Sequence, residues 1–213
     1  MSIADIRTQY SLKSLLEADA LADAMDQFQQ WWNEAIHSEL TEVNAMTLAT
    51  ASADGLPDAR IVLLKDFSPK GFTFFTNYQS NKGQELAQNP RACLVFFWKE
   101  LERQVRITGS VAKVSPEESQ TYFFSRPVGS QLGAWASQQS SVLPNREFLV
   151  EKLNSLQLEV NAGKPIEKPG YWGGYLVQPH RIEFWQGRPN RLHDRLLYTI
   201  QKDGGWKIER LAP

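Results

Sequence analysis

Between residues 19 and 40, Leu21, Met25, Phe28, Trp32, Ile36 and Leu40 recur at spacings of three and four. This period predicts an amphipathic helix, with Asp19 and Asp23 suited to its N-terminal end. The period then shortens. Residues 45–51 read as a strand, Asp54-Gly55 as a hairpin turn, and residues 59–65 as a second strand. The run Ile61-Val62-Leu63-Leu64 is continuously apolar, so burial on both faces is expected there. Arg60 and Lys65 bracket it at odd spacing, which in a straight strand sets them on opposite faces. Strands follow at 72–77, 91–98 and 103–114, with a short helix at 84–88 between the first two. Pro116-Glu117-Glu118 opens a helix to about Arg126, broken at Pro127 and Gly129. Residues 131–141 are polar, small and aromatic, without a clear period. A further amphipathic helix spans 146–160, and strand-like runs close the chain from Trp172, at 196–201 and at 206–211.

Seven or eight strands, joined mainly by hairpin-like links, predict a mainly antiparallel β-barrel with peripheral helices, a mainly β, α+β class. They argue against a doubly wound sheet. The 213 residues suit one domain, led by a helical or lid-like segment over about residues 1–44.

Charge refines this picture. The formal net charge is −1, which gives no steering toward nucleic acid. Residues 1–44 nevertheless carry two basic and eight acidic side chains, and residues 180–213 seven basic and four acidic. A basic tail on a near-neutral chain fits a local anion site. The single Cys93 sits in an apolar run and forms no internal disulfide, as expected in a reducing compartment. No export segment or membrane-length apolar run stands out, so a cytoplasmic protein is expected. No Cys/His cluster points to a metal, no G-x-G-x-x-G follows a strand, and no G-x-S-x-G marks a hydrolase elbow.

The candidate chemistry is cationic. Arg191, His193 and Arg195 alternate, and in an extended segment all three would share a face, tolerable against an anion or an electron-rich ring. Ser80 and Lys82 open the 84–88 helix and suit either a phosphate or an ordinary serine cap with an exposed lysine. Tyr122 and Arg126 share a helix face, with Ser130 just beyond its break.

Several ordered blocks then resemble one family. R-I-V-L-L-K at 60–65, F-F-T-N at 74–77, L-E-R-Q-V at 101–105, Y-F-F-S-R-P at 122–127 and S-Q-L-G-A-W at 130–135 look like pyridoxine/pyridoxamine 5′-phosphate oxidases. So do Q-S-S at 139–141, I-E-F-W-Q-G at 182–187, R-L-H-D-R at 191–195 and W-K-I-E-R-L-A-P at 206–213. The resemblance implies an FMN-binding split β-barrel, with FMN held between the subunits of a homodimer. It implies oxidation of pyridoxine or pyridoxamine 5′-phosphate at C4′ to pyridoxal 5′-phosphate. Oxygen is the implied acceptor and hydrogen peroxide the by-product, with ammonia released from the amine.

By the same resemblance, FMN contacts fall on Arg60, Ile61, Val62, Leu63, Leu64, Lys65, Phe75, Thr76, Lys82, Gln104, Trp185 and Arg195, with Gln139 and Ser140 reaching in from the other subunit. The substrate phosphate would meet Lys65, Tyr122, Arg126 and Ser130. Arg191, Leu192 and His193 would border the substrate, with Arg191 and His193 over its ring as the catalytic pair, and Arg7 and Tyr10 would close as a lid. The chain departs from the family twice. Asn81 stands where a Ser-Arg-Lys run often places arginine, and Phe75 stands where tyrosine is usual. The competing expectation is a non-catalytic flavin- or pyridoxal-phosphate-binding barrel.

Overall fold

The computed structural model describes residues 2–5 and 9–213. Nine antiparallel strands form one sheet: β1 (Ala45–Ala51), β2 (Pro57–Leu63), β3 (Asp66–Ser68), β4 (Gly71–Asn77), β5 (Arg91–Trp98), β6 (Arg103–Lys113), β7 (Trp172–Gln186), β8 (Asp194–Ile200) and β9 (Trp206–Arg210). The main path runs β2-β1-β5-β6-β7-β4-β3, with β8 and β9 branching from β7. Strand β7 organises this. Its first half pairs with β4, its second half pairs with β8, and β6 runs along both. The β6–β7 register shifts between Thr108 and Gly109. A side chain at Gly109 would place its Cβ 2.0 Å from the Gln178 carbonyl oxygen, so only glycine fits this bulge.

Among the described residues five α-helices surround the sheet: α1 (Ala24–Ile36), α2 (Asn81–Gln88), α3 (Pro116–Ser125), α4 (Val128–Ala136) and α5 (Glu147–Asn161). Asp23 caps α1, its carboxylate accepting from the Met25 and Asp26 N–H groups. The buried stripe of α1 is Met25, Phe28, Trp31 and Ala35; Leu21 lies outside the helix and Ile36 is exposed. The expected stripe holds through Trp32, which packs on Phe67 and Trp98, and widens to Trp31 and Ala35 in place of Ile36. Residues 131–136 belong to α4, which the sequence did not show as a helix because Gly129 and Gly133 weaken the pattern.

One sheet face is the core. Met46, Leu48, Leu94, Phe96, Val105, Ile107, Ile182, Phe184, Leu196 and Tyr198 alternate inward along five strands and are essentially fully buried. Helix α1 covers this face. Phe28 meets Phe67, Phe72 and Phe96 edge-on or tilted, and Trp31 meets Phe184 edge-on at 5.2 Å. The opposite face is different. Ile61, Thr47, Val95, Arg106, Glu183 and Leu197 lie in one continuous rung across β2, β1, β5, β6, β7 and β8. Leu63, Phe97, Gln104, Trp185 and Arg195, two residues away in their strands, return to the same face. Here Ile61 is 66% exposed, Phe97 53% and Leu63 37%. The expectation that both faces of residues 61–64 are buried fails within one chain, because β2 is an edge strand and only one side of it meets the core.

Among the described residues no helix is long and apolar enough to cross a membrane. Replacing Phe28 with Ala empties the centre of the α1–sheet contact. The expected loss of stability is about 3–5 kcal/mol, read as a lower urea midpoint at unchanged slope.

Candidate functional site

A cavity of about 900 Å³ opens between β2, β4, the start of α2, and α3–α4. Its lining includes Arg60, Lys65, Lys82 and Arg126, four cationic side chains, against one carboxylate, Asp58. Lys65 reaches the same cavity as Arg60 because β2 ends at Leu63, and the Lys65 N–H then bonds the Thr73 carbonyl of β4. Opposite faces apply to a straight strand, and the end of β2 before Lys65 lets both side chains reach one cavity. Ile61, Val62 and Leu63 line the cavity as well, whereas Leu64 is buried in the core.

Around Arg60 the charges are partly matched. Its guanidinium contacts Asp58 at 2.5 Å and Glu85 at 3.2 Å, and also donates to the Thr50 hydroxyl. These partners did not emerge from the sequence, although Asp58 and Arg60 alternate along one strand and so share a face. Lys82 is the less satisfied neighbour. It is buried, and its Nζ donates to Ser80 Oγ at 3.1 Å and Gln139 Oε1 at 3.2 Å, both neutral acceptors. Burial first, and the nearby Arg60 second, push its pKa below the ordinary lysine value. Ser80 does not cap α2. Its hydroxyl donates instead to the Asn77 carbonyl at 2.7 Å and accepts from Lys82. The reading as a serine cap with an exposed lysine is thus set aside.

Gln139 and Ser140 sit with this group in the same chain. Thr76 Oγ1 donates to Gln139 Oε1 at 3.2 Å, and the Asn81 N–H donates to Ser140 Oγ at 3.3 Å. The expectation that they reach the site from the other subunit is corrected: the loop after α4 folds back onto the start of α2 within one chain. Ser140 takes a positive φ of 74° to make this turn.

Farther along the wall is an aromatic stack. Phe75 lies on Tyr122 with centroids 4.0 Å apart, and Trp172 stacks on both. Arg126 sits 4.7 Å over the Trp172 ring, and its Nη1 is a buried donor without a hydrogen-bond partner among the described residues. Burial depresses the Arg126 pKa. Ser130 lies in the first turn of α4, and its side lines the cavity too. A buried donor with nothing to bond and a buried lysine bonded only to neutral oxygens are what an anion would satisfy. The residues present therefore fit a phosphorylated cofactor and a phosphorylated ligand. Trp172 was not among the expected site residues; its only sequence signal was its place at the start of an aromatic strand.

Gln104, Trp185, Arg191, Leu192, His193 and Arg195 do not line this cavity. Gln104, Trp185 and Arg195 are register neighbours on β6, β7 and β8, on the open sheet face. Arg195 donates to Glu183 Oε1 at 2.9 Å and to the Ala212 carbonyl at 2.7 Å. Arg191 does not continue an extended alternation with His193 and Arg195. It ends a 3-10 turn over Pro189–Arg191, with φ of 57° at Asn190 and 62° at Arg191, so the three side chains do not share a strand face. Leu192 is exposed. His193 packs 4.7 Å from Trp185 and 5.9 Å from Tyr10, and its Nδ1 accepts from the Arg188 N–H at 3.0 Å. That bond leaves the proton of the neutral ring on Nε2. Tyr10 meets Trp185 edge-on at 5.6 Å. Arg7 lies outside the described residues.

The family described as pyridoxamine 5′-phosphate oxidase matches residues 32–158, and the one described as the pyridoxine 5′-phosphate oxidase C-terminal dimerisation region matches residues 172–213. The pyridoxine/pyridoxamine 5′-phosphate oxidase of Microcystis aeruginosa is 56% identical over 213 residues, covering 100% of this chain and 99% of that protein. Pyridoxine/pyridoxamine 5′-phosphate oxidase 1 of Ralstonia nicotianae is 57% identical over 212 residues, with the same coverage. The crystal structure of PhzG from Burkholderia lata, in complex with tetrahydrophenazine-1-carboxylic acid, superposes with a TM-score of 0.87 at 29% identity, covering 95% of this chain and 100% of that one. The sheet is accordingly that of a split barrel.

Burial, and then the neighbouring Arg191, hold the His193 pKa below the ordinary histidine value. The ring is therefore neutral at pH 7. In an NMR titration its midpoint should lie below that of an unperturbed histidine, and Arg191→Ala, by removing a positive neighbour, should move it up. With all this in place, the chain belongs to the pyridoxamine 5′-phosphate oxidase family.

Proposed function

We propose that the protein is an FMN-dependent oxidase that converts pyridoxine 5′-phosphate or pyridoxamine 5′-phosphate to pyridoxal 5′-phosphate. Oxygen is the acceptor, hydrogen peroxide is released, and the amine substrate also yields ammonia. The observation that carries this reading is the cavity whose four cations face one lining carboxylate and whose Arg126 Nη1 has no partner among the described residues. Two phosphorylated molecules account for both deficits.

In this reading Lys82, Arg60, Thr76, Gln139 and Ser140 hold the FMN phosphate end. Lys65, Tyr122, Arg126 and Ser130 hold the substrate phosphate. Bound FMN would supply the hydride acceptor and pass the electrons on to oxygen. The chain's own contribution is placement. Cationic anchors fix the phosphate, and the reacting carbon is thereby held in register, an entropic advantage that dominates where little covalent chemistry falls to the protein. Asn81 contributes no charge, and its backbone N–H is already taken by Ser140, so the FMN phosphate end relies on Lys82 and on an Arg60 shared with two carboxylates.

Arg191 and His193 act from the other half of the site. His193, with Nδ1 occupied, presents an Nε2–H donor, which suits an orienting role better than that of a base. Arg191 carries a fixed positive charge toward the reacting region. Because these residues lie outside the cavity of their own chain, they serve the cavity of a second copy. A homodimer laid against the open sheet face covers Ile61, Leu63 and Phe97 and brings the Gln104–Trp185–Arg195 rung onto the partner's cavity. The region matched by the dimerisation family includes β7, β8 and β9, which carry Trp185 and Arg195 of that rung.

The test is peroxide release from the yellow holoprotein with each vitamer, phosphorylated and unphosphorylated. Release with the phosphorylated forms supports the reading, and a yellow protein that consumes no oxygen overturns it. Arg126→Ala should lower kcat/KM for pyridoxine 5′-phosphate by about 10–100-fold, the equivalent of one charge-assisted hydrogen bond of about 1.5–3 kcal/mol. Its flavin content should stay that of the wild type. Equal losses with unphosphorylated pyridoxine would contradict the assignment of Arg126 to the phosphate.

A further inference from the structure

Residues 10–17 form no helix or strand before the Glu17 turn, and only Leu15 is buried, yet distant side chains bond their backbone. One carboxylate oxygen of Glu102 accepts from the Ser11 and Leu12 N–H groups at 2.8 and 3.0 Å. Asp194 Oδ2 accepts from the Leu15 N–H at 3.0 Å. Arg188 donates to the Lys13 carbonyl at 3.2 Å, and Arg210 to the Leu15 carbonyl at 2.9 Å. A segment with so little apolar anchorage is held by charge-assisted bonds.

Arg210 is the hub. Its Nε and Nη2 engage both Glu17 oxygens, at 2.6 and 2.8 Å, a fork-to-fork pair. Its Nη1 donates to Asp194 Oδ1 at 2.8 Å. One guanidinium thus joins the strap before α1, the end of β9 and the start of β8. Asp194 directly follows His193, and Arg188, 3.5 Å from Asp194, supplies the N–H that binds the His193 ring. The strap delivers Tyr10 onto Trp185, His193 and Gly187, where a Cβ on Gly187 would come within 2.6 Å of the Tyr10 ring.

We infer that Glu17, Asp194 and Arg210 are positioning residues: their clasp locks the strap of residues 10–17 across the His193 turn and so sets the seat of Tyr10. This rests on the oxidase reading only in taking that turn to face the substrate. An exposed ion pair adds little to global stability, so the clasp's effect is local.

The experiment compares Glu17→Ala, Arg210→Ala, the double variant and Arg210→Lys with wild-type holoprotein. The first readout is trypsin cleavage after Lys13, which needs no turnover. It should accelerate by about 10-fold in Glu17→Ala while Tm stays nearly constant, since local opening and global unfolding are separate events. The second readout is turnover. KM for pyridoxine 5′-phosphate should rise about 5-fold with kcat within about 2-fold, a loss of binding contacts and not of chemistry. The double variant should be no worse than Arg210→Ala alone, because both remove one interaction. Arg210→Lys, which keeps the charge but not the fork, should fall between. Unchanged cleavage at Lys13, an unchanged KM despite faster cleavage, or additive effects would each overturn the inference. If the wild type oxidises neither vitamer, the oxidase reading fails, while proteolysis still decides whether the clasp holds the strap.

Discussion

The sheet has two faces carrying apolar side chains, and its own chain covers only one of them. Under α1 the core face is closed by aromatic contacts centred on Phe28. The other face leaves Ile61, Leu63 and Phe97 exposed and carries, along the same rungs, Gln104, Trp185 and Arg195. Leu63 on β2 borders the cavity, and in the proposed dimer Trp185 on β7 serves the other half of the site. Along β7, Trp185 stands 11 residues from Gly174, the register partner of the cavity residue Phe75, about 36 Å along the strand. A stacked pair of planar rings spans far less. In the proposed dimer one constraint links stability and chemistry: the surface that needs covering is the surface that needs completing.

Electrostatics gives the cavity its character. Arg60 is matched by Asp58 and Glu85, which lets a guanidinium sit beside buried Lys82 without a bound anion. Lys82 and Arg126 are left with neutral or missing partners, and burial lowers the pKa of each. The site thus holds its cations at a cost that an anion relieves. Aromatic rings do the complementary work. Phe75, Tyr122 and Trp172 form a rigid wall in which a tyrosine hydroxyl at position 75 is not needed for stacking.

Much of this was legible in the sequence because it rests on short periods. Runs of strand-forming residues placed β1, β5 and β6, and the Tyr122/Arg126 spacing put both side chains toward one place, the cavity. What was not legible depends on where elements end or on distant partners. The end of β2 at Leu63 reorients Lys65, and the positive φ values at Asn190 and Arg191 break the alternation that seemed to align Arg191, His193 and Arg195. Two glycines hid α4, and the loop after it brought Gln139 and Ser140 to Lys82 of the same chain. The bond between Glu17 and Arg210 crosses 193 residues of sequence, where no local pattern records it.

In the proposed dimer each site draws its phosphate seats from one copy and its Arg191–His193 half from the other. Subunit complementation tests it most directly. Arg126→Ala homodimers and Arg191→Ala homodimers, assayed at a pyridoxine 5′-phosphate concentration well below KM where each is impaired, are unfolded together, refolded as a mixture and assayed again. In a hybrid dimer with shared sites, one site carries both substitutions and the other carries neither, so activity with pyridoxine 5′-phosphate should reappear in the hybrid fraction. Hybrids that form and stay as inactive as their parents would show that each chain completes its own site, and would contradict the account.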